Sequence, residues 1–87
     1  MSAALQIWSH TCCKAFDQLP TAIRESVQRK VDEMGMRLSS YPHHRWTGRS
    51  ECRLRVGDYR VLYEFDAQAG RLYLHYVGHR REIYKRT

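Results

Sequence analysis

From Glu51 onward, apolar and polar positions alternate along the chain. Cys52, Leu54 and Val56 are interleaved with Glu51, Arg53 and Arg55. After Gly57-Asp58, the residues Tyr59, Val61, Tyr63 and Phe65 are interleaved with Arg60, Leu62 and Glu64. A period of two is that of strands with one buried face, and Gly57-Asp58 between the runs is a two-residue hairpin turn. Asp66 to Gly70 forms a longer turn, and Arg71 to Val77 the last strand. Upstream the period is helical: Ile23, Val27, Val31, Met34 and Leu38 form one apolar stripe read as core packing. Thr21, after the helix-breaking Pro20, is the expected N-cap of that helix. Thr11 to Leu19 is a shorter helix with Ala15, Phe16 and Leu19 inward, and Leu5 to Ser9 a short strand. Ser39-Ser40-Tyr41-Pro42 ends the second helix, and His43 to Ser50 reads as a loop. The predicted fold is an α+β domain spanning residues 1–87. An N-terminal strand and two helices precede a three-stranded antiparallel meander, with the helices on one face.

The alternation also predicts a register. A two-residue loop sets Val56 opposite Tyr59, Arg55 opposite Arg60, Leu54 opposite Val61, Arg53 opposite Leu62 and Cys52 opposite Tyr63. A four-residue loop over Ala67 to Gly70 sets Phe65 opposite Leu72, Tyr63 opposite Leu74 and Val61 opposite Tyr76. The other face then carries Arg53, Arg55, Arg60, Leu62, Glu64, Tyr73, His75 and Val77. Arg55 facing Arg60 is a like-charge pair that costs some tenths of a kcal/mol. An arginine cluster without carboxylates suits a face meant for an anion, and phosphate fits the guanidinium fork.

Composition strengthens that reading. The 87 residues carry 15 Lys plus Arg against 9 Asp plus Glu, a net charge of +6, and twelve of the fifteen are arginine. Residues 45–87 hold most of the excess. Such a balance favours nucleic acid or an acidic protein as partner. No apolar run approaches the roughly 20 residues of a membrane span, and the N-terminus lacks the pattern of a signal peptide. A cytoplasmic location without a membrane partner is expected. Adjacent Cys12 and Cys13, with Cys52 apart, suggest no disulfide framework, and no Cys-x-x-Cys spacing points to a metal.

The run Arg53-Leu54-Arg55-Val56-Gly57-Asp58-Tyr59-Arg60-Val61-Leu62-Tyr63, followed by Val77-Gly78-His79-Arg80-Arg81-Glu82-Ile83-Tyr84, resembles the RelE branch of the RelE/ParE toxin superfamily. The resemblance extends over nearly the whole chain and is most specific in the C-terminal half. It implies a single RelE-like domain, the toxin of a type II toxin–antitoxin module that cleaves mRNA in the ribosomal A site. It also implies a cognate antitoxin as partner and no small-molecule cofactor or metal. Arg53 and Arg55 match two basic active-site positions on the first meander strand. Arg60 matches the arginine after the hairpin tyrosine, Arg80 the basic residue after the last strand, and Tyr84 a base-stacking tyrosine.

Cleavage by the RNA's own 2′-hydroxyl needs a base, stabilisation of the phosphorane charge and an acid for the leaving group. Arginines serve the second need and neither of the others, because a guanidinium stays protonated above pH 12. RelE-type members carry lysines where Arg53 and Arg55 stand. His79 is therefore the first acid–base candidate and His75 the second. Glu51 and Glu64, facing each other in the register, read as surface residues. Arg81, Lys85 and Arg86 read as diffuse RNA-backbone contacts. Trp8 and Trp46 are expected to pack in the core and the loop, and His43-His44-Arg45 reads as a polar loop with phosphate contact as its alternative. Two rival functions remain: a ParE-like gyrase poison, and a non-catalytic RNA- or ribosome-binding module.

Overall fold

The computed structural model describes residues 3–45, 48 and 50–85, with 84 and 85 described by their backbone alone. Trp46, whose packing was expected in the loop, lies outside the described residues, as does Arg86. The elements run β1 (Leu5–Trp8), α1 (His10–Asp17), α2 (Thr21–Met36), β2 (Cys52–Val56), β3 (Tyr59–Asp66), β4 (Arg71–His79) and α3 (Arg80–Lys85). Among the described residues no helix is long and apolar enough to cross a membrane.

Local chemistry sets the boundaries. Ser9 Oγ accepts the Cys12 N–H at 3.0 Å and starts α1. The expectation for Thr21 is corrected: Pro20 occupies the cap position without a side-chain bond, and Thr21 is the first helical residue. Its hydroxyl instead accepts from Arg24 Nη2 at 3.1 Å. The apolar stripe outlives its helix. Val27, Val31 and Met34 are buried from α2, while Leu38 reaches the same core from the turns beyond Met36.

The four strands form one sheet in the order β1-β4-β3-β2, with β1 parallel to β4 and the other pairs antiparallel. The β2–β3 register is the expected one at all five pairs from Cys52↔Tyr63 to Val56↔Tyr59. Gly57, at φ +59°, supplies the left-handed first position that this tight turn needs. In β3–β4, Phe65↔Leu72 and Tyr63↔Leu74 also hold, but a bulge follows. His75 is left unpaired, and Val61 faces Val77 rather than Tyr76. That extra residue reverses the parity of the rest of β4. Val77, expected on the open face, is 1% exposed in the core, and Tyr76 takes its place outside.

Helices α1 and α2 cover one face of the sheet. Cys12, Val27, Val31 and Met34 pack with Leu54, Val61, Tyr63, Leu72 and Leu74 in one cluster. β1 joins it through Trp8, whose ring meets Phe16 edge-on at 5.0 Å, and through Gln6, which donates to Asp32 at 2.7 Å. A third helix follows β4 where the pattern predicts none. α3 contacts β3 and β4; its Ile83 is fully buried and the open-face Leu62 nearly so, both outside the main cluster. Gly78 permits this approach, since a Cβ there would lie 2.9 Å from the Tyr76 ring and 3.2 Å from Glu82 Oε2.

Candidate nucleic-acid interface

The uncovered face follows from strand parity. With Cys52, Leu54 and Val56 in the core, Arg53 and Arg55 must project from the opposite side of β2. Arg60 stands across from Arg55, and Leu62 across from Arg53. Together with His44, these three arginines line a cavity of about 370 Å³.

The Arg55–Arg60 pair does not sit as the sequence suggests. Arg55 is exposed, but Arg60 is 7% exposed. Its Nη1 donates to the carbonyls of Gly57 and Tyr59, each at 2.8 Å. The guanidinium is thus turned into the hairpin end, which corrects the expectation of two solvated, repelling cations. Half-buried Arg53 is anchored through its backbone, whose N–H donates to the His44 carbonyl at 2.9 Å. Arg80 begins α3 at the same hairpin end: its N–H donates to the Asp58 carbonyl at 2.8 Å, and its side chain is exposed.

The expected acid–base residue lies elsewhere. His79 pairs with Tyr59, on the helix-covered side, and its ring packs against the Tyr59 ring at 5.5 Å. Its Nδ1 accepts the Arg81 N–H, and it lines a separate cleft of about 210 Å³ with Leu19, Pro20 and Glu82. The bulge is the cause, because it moves residues 76–79 by one position. His75 is on the open face but held by Glu64, Nε2 to Oε2 2.8 Å. Glu64, read from the sequence as a surface residue, thus has His75 as a partner. Arg81 is exposed on α3, while the side chains of Tyr84 and Lys85, and all of Arg86, lie outside the described residues.

His44, which reads from the sequence as part of a polar loop with phosphate contact as the alternative, lines the cavity. A signal was present in His43, its neighbour, which is aromatic in environment: its ring stacks on Phe65 at 3.8 Å. His43 Nε2 donates to the Leu38 carbonyl at 2.7 Å, an oxygen that only accepts. Nδ1 is then the acceptor for the Tyr63 hydroxyl at 2.6 Å. Burial pushes the Tyr63 phenol up from its ordinary range, so it stays a donor. With residue 43 facing inward on this extended segment, residue 44 faces out.

Thiol chemistry is remote from the cavity. Burial, with the neighbouring Cys13 adding to it, pushes Cys12 up to about 12, and burial raises Cys52 as well. Neither is a thiolate near neutrality. Among the described residues no group of three or more His, Cys, Asp or Glu is arranged to hold a metal.

A four-stranded sheet with α1 and α2 on one face and an arginine-lined cavity on the other has well-defined structural relatives. The isolated RelE toxin of E. coli superposes with a TM-score of 0.75 at 17% identity, covering 97% of this chain and 98% of that one. A chain of the RelB-RelE antitoxin-toxin complex of Methanococcus jannaschii gives 0.70 at 23%, covering 91% and 95%. A chain of the toxin-antitoxin complex RelBE2 of Mycobacterium tuberculosis gives 0.74 at 20%, covering 91% and 93%. Among curated proteins nothing matches the chain. The fold is thus that of RelE toxins. Residues 6–84 match the family described as the ParE toxin of type II toxin-antitoxin systems, parDE, and the chain belongs to that family within the RelE/ParE superfamily.

Proposed function

We propose that this toxin is a ribosome-dependent mRNA endonuclease that inhibits translation, cutting by attack of the RNA's own 2′-hydroxyl. The observation that carries this reading is the cavity lined by Arg53, Arg55 and Arg60 on the uncovered face of the sheet. A trigonal-bipyramidal phosphorane bears more charge than the ground-state diester, so preorganised guanidiniums stabilise the transition state selectively. Arg60 suits the task best, because its hydrogen bonds to Gly57 and Tyr59 fix it before substrate arrives. Arg80, at the same end of the hairpin, would add a contact, and Arg81, Lys85 and Arg86 would extend the track along the RNA backbone. Tyr84 would stack on a base.

A single shallow cavity gives little to hold RNA in line for attack, which is why the ribosome, with mRNA in its A site, is the expected positioning partner. The second expected partner is a cognate antitoxin; the M. jannaschii and M. tuberculosis relatives were both solved as toxin–antitoxin complexes. The family match keeps one rival reading, a gyrase poison that cuts no RNA. Mapping mRNA 5′ ends after brief induction decides between them. Cuts inside translated frames, with purified naked RNA cut poorly, support the endonuclease. DNA damage with intact transcripts supports the gyrase poison.

A further inference from the structure

The arginine cavity has cations to hold a phosphate and, in Arg53, Arg55 and Arg60, no group that gives up or takes a proton near neutrality. His44 completes its lining. We propose that His44 is the general base of this cavity, taking the 2′-hydroxyl proton of the nucleotide whose phosphate the arginines hold; this rests on the endonuclease reading above.

The position of His44 is built by the fold. Its carbonyl accepts the Arg53 N–H at 2.9 Å, and the neighbouring Arg45 forms an antiparallel bridge with Cys52. Residues 44 and 45 therefore continue the ladder beyond β2, with His44 beside Arg53. His43 pins the same segment from the other side through Leu38, Tyr63 and Phe65. His44 thus presents an exposed imidazole on a backbone held from both directions.

The other histidines are placed for different roles. His43 has both ring nitrogens engaged in the core, and His75 is bonded to Glu64. His79 lies on the opposite face of the sheet, and His10 begins α1. Among the described residues no carboxylate lines the cavity. Imidazole is the side chain whose ordinary titration falls between pH 5 and 8, the range a base needs.

The step balances without a metal or redox partner. A ring nitrogen of His44 takes the proton from O2′, and O2′ forms a bond to phosphorus. The P–O5′ bond breaks with its electron pair on O5′, which takes a proton from water. The products are a 2′,3′-cyclic phosphate and a 5′-hydroxyl. Attack in line puts O2′ and O5′ on opposite sides of the phosphorus, so one imidazole at the cavity wall serves the attacking oxygen.

The test is single-turnover cleavage of mRNA on programmed ribosomes from pH 5.5 to 8.5. His44→Gln should cut roughly 100-fold more slowly than wild type and lose the rise in rate with pH, with ribosome affinity unchanged. Free imidazole should restore cleavage to His44→Ala. A His44→Gln rate within a few-fold of wild type, with the same pH profile, overturns the proposal alone. So does a loss of rate matched by a loss of affinity, the mark of a simple phosphate contact. Absence of cutting by the wild type overturns the endonuclease reading, and the proposal falls with it.

Discussion

Arg55 and Arg60 face each other across one strand pair, yet burial assigns them opposite relations to stability. Arg60 holds two carbonyls of its own hairpin, and hydrogen bonds made by charged groups are worth about 1.5–3 kcal/mol each. Arg60→Gln should therefore cost about 1–3 kcal/mol, because the shorter amide cannot reproduce both bonds. Arg55 is exposed and makes no such bonds among the described residues, so Arg55→Gln should change stability by less than about 0.5 kcal/mol. Thermal melts of both variants check this: a drop confined to Arg60→Gln is expected, and equal melting temperatures would contradict the buried placement. Both variants should lose RNA cleavage. The alternation of apolar residues reveals that both arginines leave the core side, but not which one folds back onto backbone carbonyls. Such a turn depends on side-chain rotamers and on carbonyls left unpaired at the hairpin end, neither of which has a period.

At the scale of elements, alternation is informative wherever it is unbroken. β2, the Gly57-Asp58 turn and β3 follow from it down to individual cross-strand pairs, because a one-residue slip would expose Leu54 and Val61. It fails at His75, where the bulge inserts a residue without any local mark and transfers His79 to the wrong side of the sheet. α3 was invisible for another reason: Arg80, Arg81 and Glu82 are polar, and Ile83 is the one buried side chain among its described residues, too little for a helical stripe. His44 reads mainly as a polar loop residue because its placement depends on its neighbour, a loop residue acting as a staple. That staple is testable. His43→Leu keeps an apolar side chain against Phe65 but removes the partners of the Leu38 carbonyl and the Tyr63 hydroxyl, at a cost of about 1–3 kcal/mol. The melting temperature should fall, and RNA cleavage should fall further than stability explains, since His44 loses its fixed backbone. Unchanged melting and cleavage would mean that the segment is held by the β2 bridge alone.

The whole molecule carries a net charge of +6, with the arginine cavity on its uncovered face. Binding of a single-stranded RNA should weaken steeply with salt, because each neutralised phosphate releases counterions. Three arginine contacts predict a slope of log K against log salt near −2, and Arg55→Gln should lessen it by about 0.7. Fluorescence anisotropy across a salt series measures both; a slope unaltered by Arg55→Gln would remove that residue from the RNA contact. The strand order has a consequence of its own. β1 pairs along its length with Leu72 and its neighbours in β4, so the earliest made of the four strands waits for residues 71–74 before it has that partner. Until then β3 also lacks one of its two neighbours, and the Tyr59–Arg60 end that shapes the cavity stays unsupported by β4 and α3. Sheet completion by such distant segments is slow compared with local folding. A chain assembled in this order therefore reaches its finished arginine cavity only after β4 and α3 have been made.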